Sequence, residues 1–217
     1  MLDKNTAQKT KELLGELGGR VKLIVFTQET ECMFCAQNKE LAQDMAGLSD
    51  KIAVEVYDFL KDERAVKRYG IDKIPALAVT GENADYGIRF FGIPSGYEFI
   101  SLIEAIKLVS SGEHGLSEDT VRKVSAVKTP VHIQVYVTPT CPYCPRAVVL
   151  AHKLALLSEN VRADMIEAIE FPHLANKHAV MGVPKSVINE SYFVEGAVPE
   201  KAFVDKILSA LENKEIP

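Results

Sequence analysis

Cys32-Met33-Phe34-Cys35 and Cys141-Pro142-Tyr143-Cys144 contain all four cysteines of this 217-residue chain. The two leading cysteines are 109 residues apart, half the chain, a spacing that raises the question of an internal repeat. Pro75 follows Cys32 by 43 residues, and Pro184 follows Cys141 by the same 43. A β-branched residue, Ile74 or Val183, precedes each proline. The offset of 109 also aligns Ile52, Val54 and Val56 with Val161, Ala163 and Met165, and Asp58 with Glu167. Upstream of each cysteine pair the match continues with a one-residue slip, VKLIVF at 21–26 against VHIQVY at 131–136. The chain is therefore a tandem duplication.

The second of those upstream runs alternates apolar and polar residues with strand periodicity. The first is continuously apolar, as a strand covered on both faces would be. Helical stretches follow at 36–48 and 147–157, then second strands at 53–59 and 161–168. Short polar helices are expected at 62–69 and 172–179. Ile74-Pro75 and Val183-Pro184 then open third strands, paired through hairpins to 86–91 and 192–195. Closing helices run over 95–110 and 199–211, and leading helices over 6–17 and 117–127. Gly112, Gly115 and a capping Ser117 mark the junction. The expectation is α/β architecture: two tandem units, residues 1–116 and 117–217, each a mixed sheet flanked by helices and packed against its neighbour. The run 212–217 is read as a frayed end.

Composition narrows the function. Apolar residues make up 47% and charged residues 25%, an ordinary globular balance. A net charge of −5 lacks the basic footprint of a nucleic-acid binder. No apolar run approaches the roughly 18 residues of a membrane span. The N-terminal stretch has no apolar signal core, so a cytoplasmic location is expected. Four cysteines are too few for a disulfide-stapled secreted scaffold.

Cysteines at i and i+3 on a helix start lie about 5–6 Å apart, within disulfide reach. A leading cysteine at the first turn meets unpaired N–H groups and the positive end of the helix dipole, which favour thiolate. Cys32 and Cys141 are accordingly assigned as attacking residues, and Cys35 and Cys144 as the residues that resolve a mixed disulfide. Arg146 adds positive charge near Cys141, whereas Glu29 and Glu31 flank Cys32, so Cys141 is expected to be the more reactive thiol and the stronger redox site. Phe34 and Tyr143 are expected to shape the exposed surface of the sites, or else to pack as aromatics. Pro142 suits a first helical position, and Pro145 forfeits an early helix hydrogen bond for no evident reason. Asp58 and Glu167 could accept the resolving cysteine's proton, or simply cap the helices that follow. The histidines at 132, 152, 173 and 178 are expected to be solvated.

A strand running into CxxC at a helix start, with an X-Pro before a later hairpin, resembles the thioredoxin fold, and Cys-Pro-Tyr-Cys is the glutaredoxin tetrapeptide. Doubled over the whole chain, the pattern resembles the protein disulfide oxidoreductase family of thermophilic archaea and bacteria, also called glutaredoxin-like. The resemblance implies cis bonds at Ile74-Pro75 and Val183-Pro184, with the residue before each proline offering its backbone to an extended substrate. It also implies protein disulfides as substrates, no bound organic cofactor, and recharging by a thioredoxin-reductase-like flavoprotein. Thioredoxins bury an aspartate six residues before the first cysteine; Phe26 and Val135 stand there instead. The triplet Gly182-Val183-Pro184 and the segment Glu195-Gly196-Ala197 depart from the glutathione-binding pattern.

Three other readings compete. A Cys₄ zinc or iron–sulfur site would have to join pairs separated by 105 residues, far beyond zinc-ribbon spacing. An electron-relay module of a peroxide-reducing flavoprotein would also carry two thioredoxin-like units. No Gly-rich dinucleotide fingerprint is present, so its electrons would come from a separate protein. A peptide-binding chaperone would use the same folds without turnover.

Overall fold

The computed structural model describes residues 2–212, so 213–217 of the expected frayed end lie outside the described residues. The first half runs α1 (Lys4–Leu14), β1 (Val21–Thr27), α2 (Cys35–Ala46), β2 (Ile52–Asp58), α3 (Glu63–Tyr69), β3 (Ala76–Gly81), β4 (Ile88–Phe91) and α4 (Glu98–Ser111). The second repeats that order: α5 (Glu118–Ser125), β5 (Val131–Val137), α6 (Cys144–Leu157), β6 (Val161–Glu167), α7 (Pro172–Lys177), β7 (Lys185–Ile188), β8 (Tyr192–Glu195) and α8 (Glu200–Glu212). Ser117 caps α5 by accepting from the Thr120 N–H. Both leading helices end two to three residues before their expected limits.

Within each half the strands form a mixed sheet, β2-β1-β3-β4 and β6-β5-β7-β8. The halves do more than pack: β4 pairs in parallel with β6, from Ile88↔Ala163 to Phe91↔Ile166, and the eight strands become one continuous sheet. Sequence periodicity does not reveal this seam, but the side chains explain it. β4 (Ile-Arg-Phe-Phe) is buried throughout, while its counterpart β8 (Tyr-Phe-Val-Glu) keeps only Val194 buried and forms an outer edge.

Alternation along the strands builds two cores. Val21, Leu23 and Val25 of β1 and Val131, Ile133, Val135 and Val137 of β5 face α2, α4 and α6. Ile24, Phe26 and Tyr136 face the opposite side, where Tyr69 of α3 and Phe171 before α7 close over them. Polar groups are also buried at the seam. Arg89 of β4 is held by Asp85 and the Tyr69 carbonyl. Arg162 of β6 binds Asp164 and reaches across to the Gly70 carbonyl. Asp164, fully buried, also takes His132 Nε2 at 2.6 Å.

The histidines thus correct the expectation of solvated positions. His152 is buried against the Phe90 ring, His132 is in the Asp164 ion pair, and the largely buried His178 ring lies 5.6 Å from that of Tyr136. Of the four, His173 is the exposed one.

Candidate active site

The sheet places both cysteine pairs at one end of the molecule. β1, β2, β4, β5 and β6 all run in the same direction, so the segments after them, and the starts of the antiparallel β3 and β7, share one edge. Four strand intervals separate β1 from β5, which puts the two pairs about 19 Å apart across the sheet.

Each pair is closed as a disulfide, with 5.5 Å between the Cα atoms of Cys32 and Cys35 and likewise of Cys141 and Cys144. Helix starts differ from the sequence expectation. α2 and α6 begin at the second cysteine, with Phe34 and Tyr143 as N-caps, so the leading cysteines lie before the helix instead of in its first turn. The dipole argument survives in another form, because the Cys144 N–H points at Cys141 Sγ from 3.1 Å. Pro142 is consequently outside the helix. Pro145 lies in the first turn, where an N–H would have no intrahelical acceptor, so it forfeits nothing.

Ile74-Pro75 and Val183-Pro184 are both cis. The Val183 carbonyl lies 3.7 Å from Cys141 Sγ, which places the second proline loop against its cysteine pair. Pro75 and Pro184 are buried while Ile74 and Val183 are partly open. Around them, Met33, Leu60, Tyr143, Ile169 and Met181 project from the same edge as exposed apolar side chains.

With this geometry in hand, the chain can be set beside known proteins. A family model described as a thioredoxin domain matches residues 131–209, from β5 into α8. The crystal structure of a protein disulfide oxidoreductase from Aeropyrum pernix superposes with a TM-score of 0.91 at 30% identity, covering 98% of this chain and 96% of that one. The chain belongs to the protein disulfide oxidoreductase family. The N-terminal domain of the alkylhydroperoxide reductase AhpF from Enterococcus faecalis shares the fold, with a TM-score of 0.88 at 24% identity over 95% of this chain and 100% of that one. In Pseudomonas aeruginosa, the F subunit of alkyl hydroperoxide reductase is 26% identical over 211 residues, 95% of this chain and 37% of its relative. The chain spans about two-fifths of the length of such curated relatives.

Within this family member the two sites have diverged. Cys32 is partly exposed, whereas Cys141 is 7% exposed. The loop after β4 closes over the second site: the Tyr97 N–H donates to the Pro139 carbonyl at 2.9 Å, two residues before Cys141. Gly96, at φ +59°, permits that approach, since a Cβ there would lie 2.2 Å from the Pro139 oxygen.

That loop delivers a residue that sequence reasoning missed. Glu98, the first residue of α4, is 1% exposed; one oxygen accepts from Ser101 Oγ at 2.6 Å and the other has no partner. Burial pushes its carboxyl up to about 7, against the Ser101 hydrogen bond. Its counterpart at the start of α8, Glu200, is partly open, so nothing local marks the carboxyl of Glu98 as buried.

The two carboxylates expected from sequence part company. Asp58 caps the turn after β2, accepting from the Leu60 and Lys61 N–H groups. Burial acts to raise its pKa, but those N–H groups outweigh it and hold the carboxyl below its ordinary value, while the N-cap position of α3 falls to Asp62. Glu167 is buried on the α6 side of the sheet, with one oxygen unpartnered, and burial raises its carboxyl. Next to it, Glu170 accepts the Ile93 N–H across the seam and is pushed up by burial to about 7.

Among the described residues, no group of three or more His, Cys, Asp or Glu is arranged to hold a metal ion. No described helix is long and apolar enough to cross a membrane.

Proposed function

We propose that this chain exchanges disulfides with other proteins at two independent sites. Cys32 and Cys141 attack, Cys35 and Cys144 resolve, and Ile74-Pro75 and Val183-Pro184 present backbone to an extended client strand. The observation that carries the reading is the duplicated arrangement itself: a closed CxxC at the end of a strand, a helix beginning at its second cysteine, and a cis-proline loop before the third strand, which at the second site lies against the sulfur. A spacing of about 19 Å is too great for one pair to attack the other directly, since a disulfide needs Cα atoms within about 7 Å. Each site therefore meets clients separately, or two positions of one client.

Protein clients are favoured over glutathione by the exposed apolar residues of the shared edge, Met33, Leu60, Tyr143, Ile169 and Met181. At the second site, Glu98 and Glu167 are the carboxylates assigned to take the proton of Cys144. We place the unit boundary at residues 116/117 and the protein in the cytoplasm, recharged by a thioredoxin-reductase-like flavoprotein with no cofactor of its own.

A redox-buffer titration with acid trapping, read by mass spectrometry at each pair, tests this. Two reversible transitions are expected, with catalysed reduction of a model protein disulfide. Pairs that never open and close reversibly would overturn it.

A second reading is carried by the alkyl hydroperoxide reductase relatives: a relay handing electrons to a peroxide-reducing partner. Efficient reduction of a peroxiredoxin together with slow turnover of general protein disulfides would favour it.

A further inference from the structure

Asn38 is the third residue after Cys35 in α2 and is 0% exposed, yet neither atom of its side-chain amide has a hydrogen-bond partner. Burying an unpaired amide is costly, so native structures rarely retain one without a use for it. The inward stripe of α2 is Cys35, Asn38, Leu41, Ala42 and Met45, lying over Leu23 and Val25 of β1. Apart from Asn38, the buried residues of that stripe and of the strand beneath it are apolar or sulfur-bearing, and the half-buried Thr27 at the end of β1 is the one other polar side chain on that face. Helical side chains lean toward the N-terminus and cover the preceding turn, which here contains Cys35.

The second site is built differently. Ala147 occupies the position equivalent to Asn38, and the buried carboxylate Glu167 stands on the α6 face of the sheet beside Val137. At the first site, Asp58, the counterpart of Glu167, is committed to capping a turn.

We propose that the Asn38 amide is the polar partner Cys35 acquires when the Cys32–Cys35 disulfide opens. Its Nδ2–H donates to the Cys35 thiolate, and its Oδ1 accepts from the thiol. The inference rests on the exchange reading above. In the resolving step a client sulfur is bonded to Cys32 Sγ. Cys35 gives its proton to solvent water and attacks Cys32 Sγ, the Cys32–client bond breaks, and the client leaves as a thiolate that takes up a proton from solvent. Two electrons pass from the cysteine pair to the client. The amide takes no proton; it stabilises the reduced pair and lowers the barrier to forming the Cys35 thiolate. In the oxidised state the same amide is left unsatisfied, which biases the first site toward reduction.

The test is the equilibrium of both pairs against reduced and oxidised dithiothreitol, compared between the wild-type chain and Asn38→Leu, which is close in size and apolar. The Cys32–Cys35 equilibrium should shift about tenfold toward the disulfide, ~30 mV for a two-electron couple, while Cys141–Cys144 stays in place. In a Cys32→Ser background, the pH midpoint for Cys35 alkylation should rise with Asn38→Leu. An unchanged first-site equilibrium, an equal shift at both pairs, or an equal loss of stability in the oxidised and reduced proteins would overturn the proposal and show that Asn38 only packs. If Asn38→Leu fails to fold, Asn38→Ala is read by the same criteria. Failure of the wild-type pairs to titrate at all would instead overturn the exchange reading, and the inference with it.

Discussion

For single residues, chemistry is set by which polar atoms each thiol meets. Cys141 Sγ has the Cys144 N–H at 3.1 Å and Arg146 in the following turn, while Cys32 has acidic Glu29 and Glu31 before it. In the reduced protein, alkylation of Cys141 by a small reagent should show a lower pH midpoint than that of Cys32, even if burial makes its limiting rate smaller. Peptide mapping across a pH series checks this, and coincident midpoints would refute it. Glu98 gives a second prediction. Its folded carboxyl titrates near 7 instead of 4.5, so the folded state binds more protons than the unfolded state between those values. Stability contributed by the protonated form is therefore lost as pH rises through that window. Glu98→Gln should match wild type below pH ~4.5 and exceed it by about 2–3 kcal/mol at pH 8, seen in denaturant midpoints. If Glu98 also takes the Cys144 proton, the same variant should resolve mixed disulfides at Cys141 roughly tenfold to a hundredfold more slowly, leaving Cys32 unaffected.

Elements show how closely a duplicated sequence can hide divergent roles. β4 and β8 are equivalent in the repeat, yet β4 is an interior strand and β8 an edge. β6 carries the cost of the new junction, a fully buried Asp164 held by His132 and Arg162. Burial alone would raise its pKa, but those two partners hold the carboxyl well below its ordinary value. This pairing contributes stability above the unfolded carboxylate value and loses it as pH falls through the acid range. Asp164→Asn should cost about 3–5 kcal/mol at pH 7, because it leaves Arg162 without its buried partner. Urea unfolding would show this, and a change under about 1 kcal/mol would mean that solvent reaches the cluster.

For the molecule as a whole, the β4–β6 pairing decides what the protein is: one eight-stranded body with two reactive sites on a common edge. A fragment of residues 117–217 would expose the unpaired backbone of β6 along the edge that β4 covers in the full chain. Such edges recruit other strands. The fragment should self-associate or precipitate while the full chain stays monodisperse, a difference that light scattering resolves. A stable monomeric fragment would mean that the halves are independent domains joined by a convenience of packing.

The repeat, the order of elements, the two CxxC pairs and the proline loops were all legible in the chain, because they rest on local spacing and on strand and helix periodicity. The cysteine helices begin at Cys35 and Cys144, one and three residues before the stretches read at 36–48 and 147–157, and the leading cysteines fall outside the first turn, since the N-caps Phe34 and Tyr143 carry no capping side chain to announce them. Burial of His152, the buried carboxyl of Glu98, and the unpartnered amide of Asn38 were beyond reach of any local pattern. Each depends on which surfaces meet. Two repeated units, each with a CxxC pair at a helix start, follow from neighbours a few residues away, so the linear chain is enough to specify them. That the units share a sheet and an edge, and that their sites differ in burial, emerges only on folding, because strand pairing and desolvation are set by residues distant in the chain.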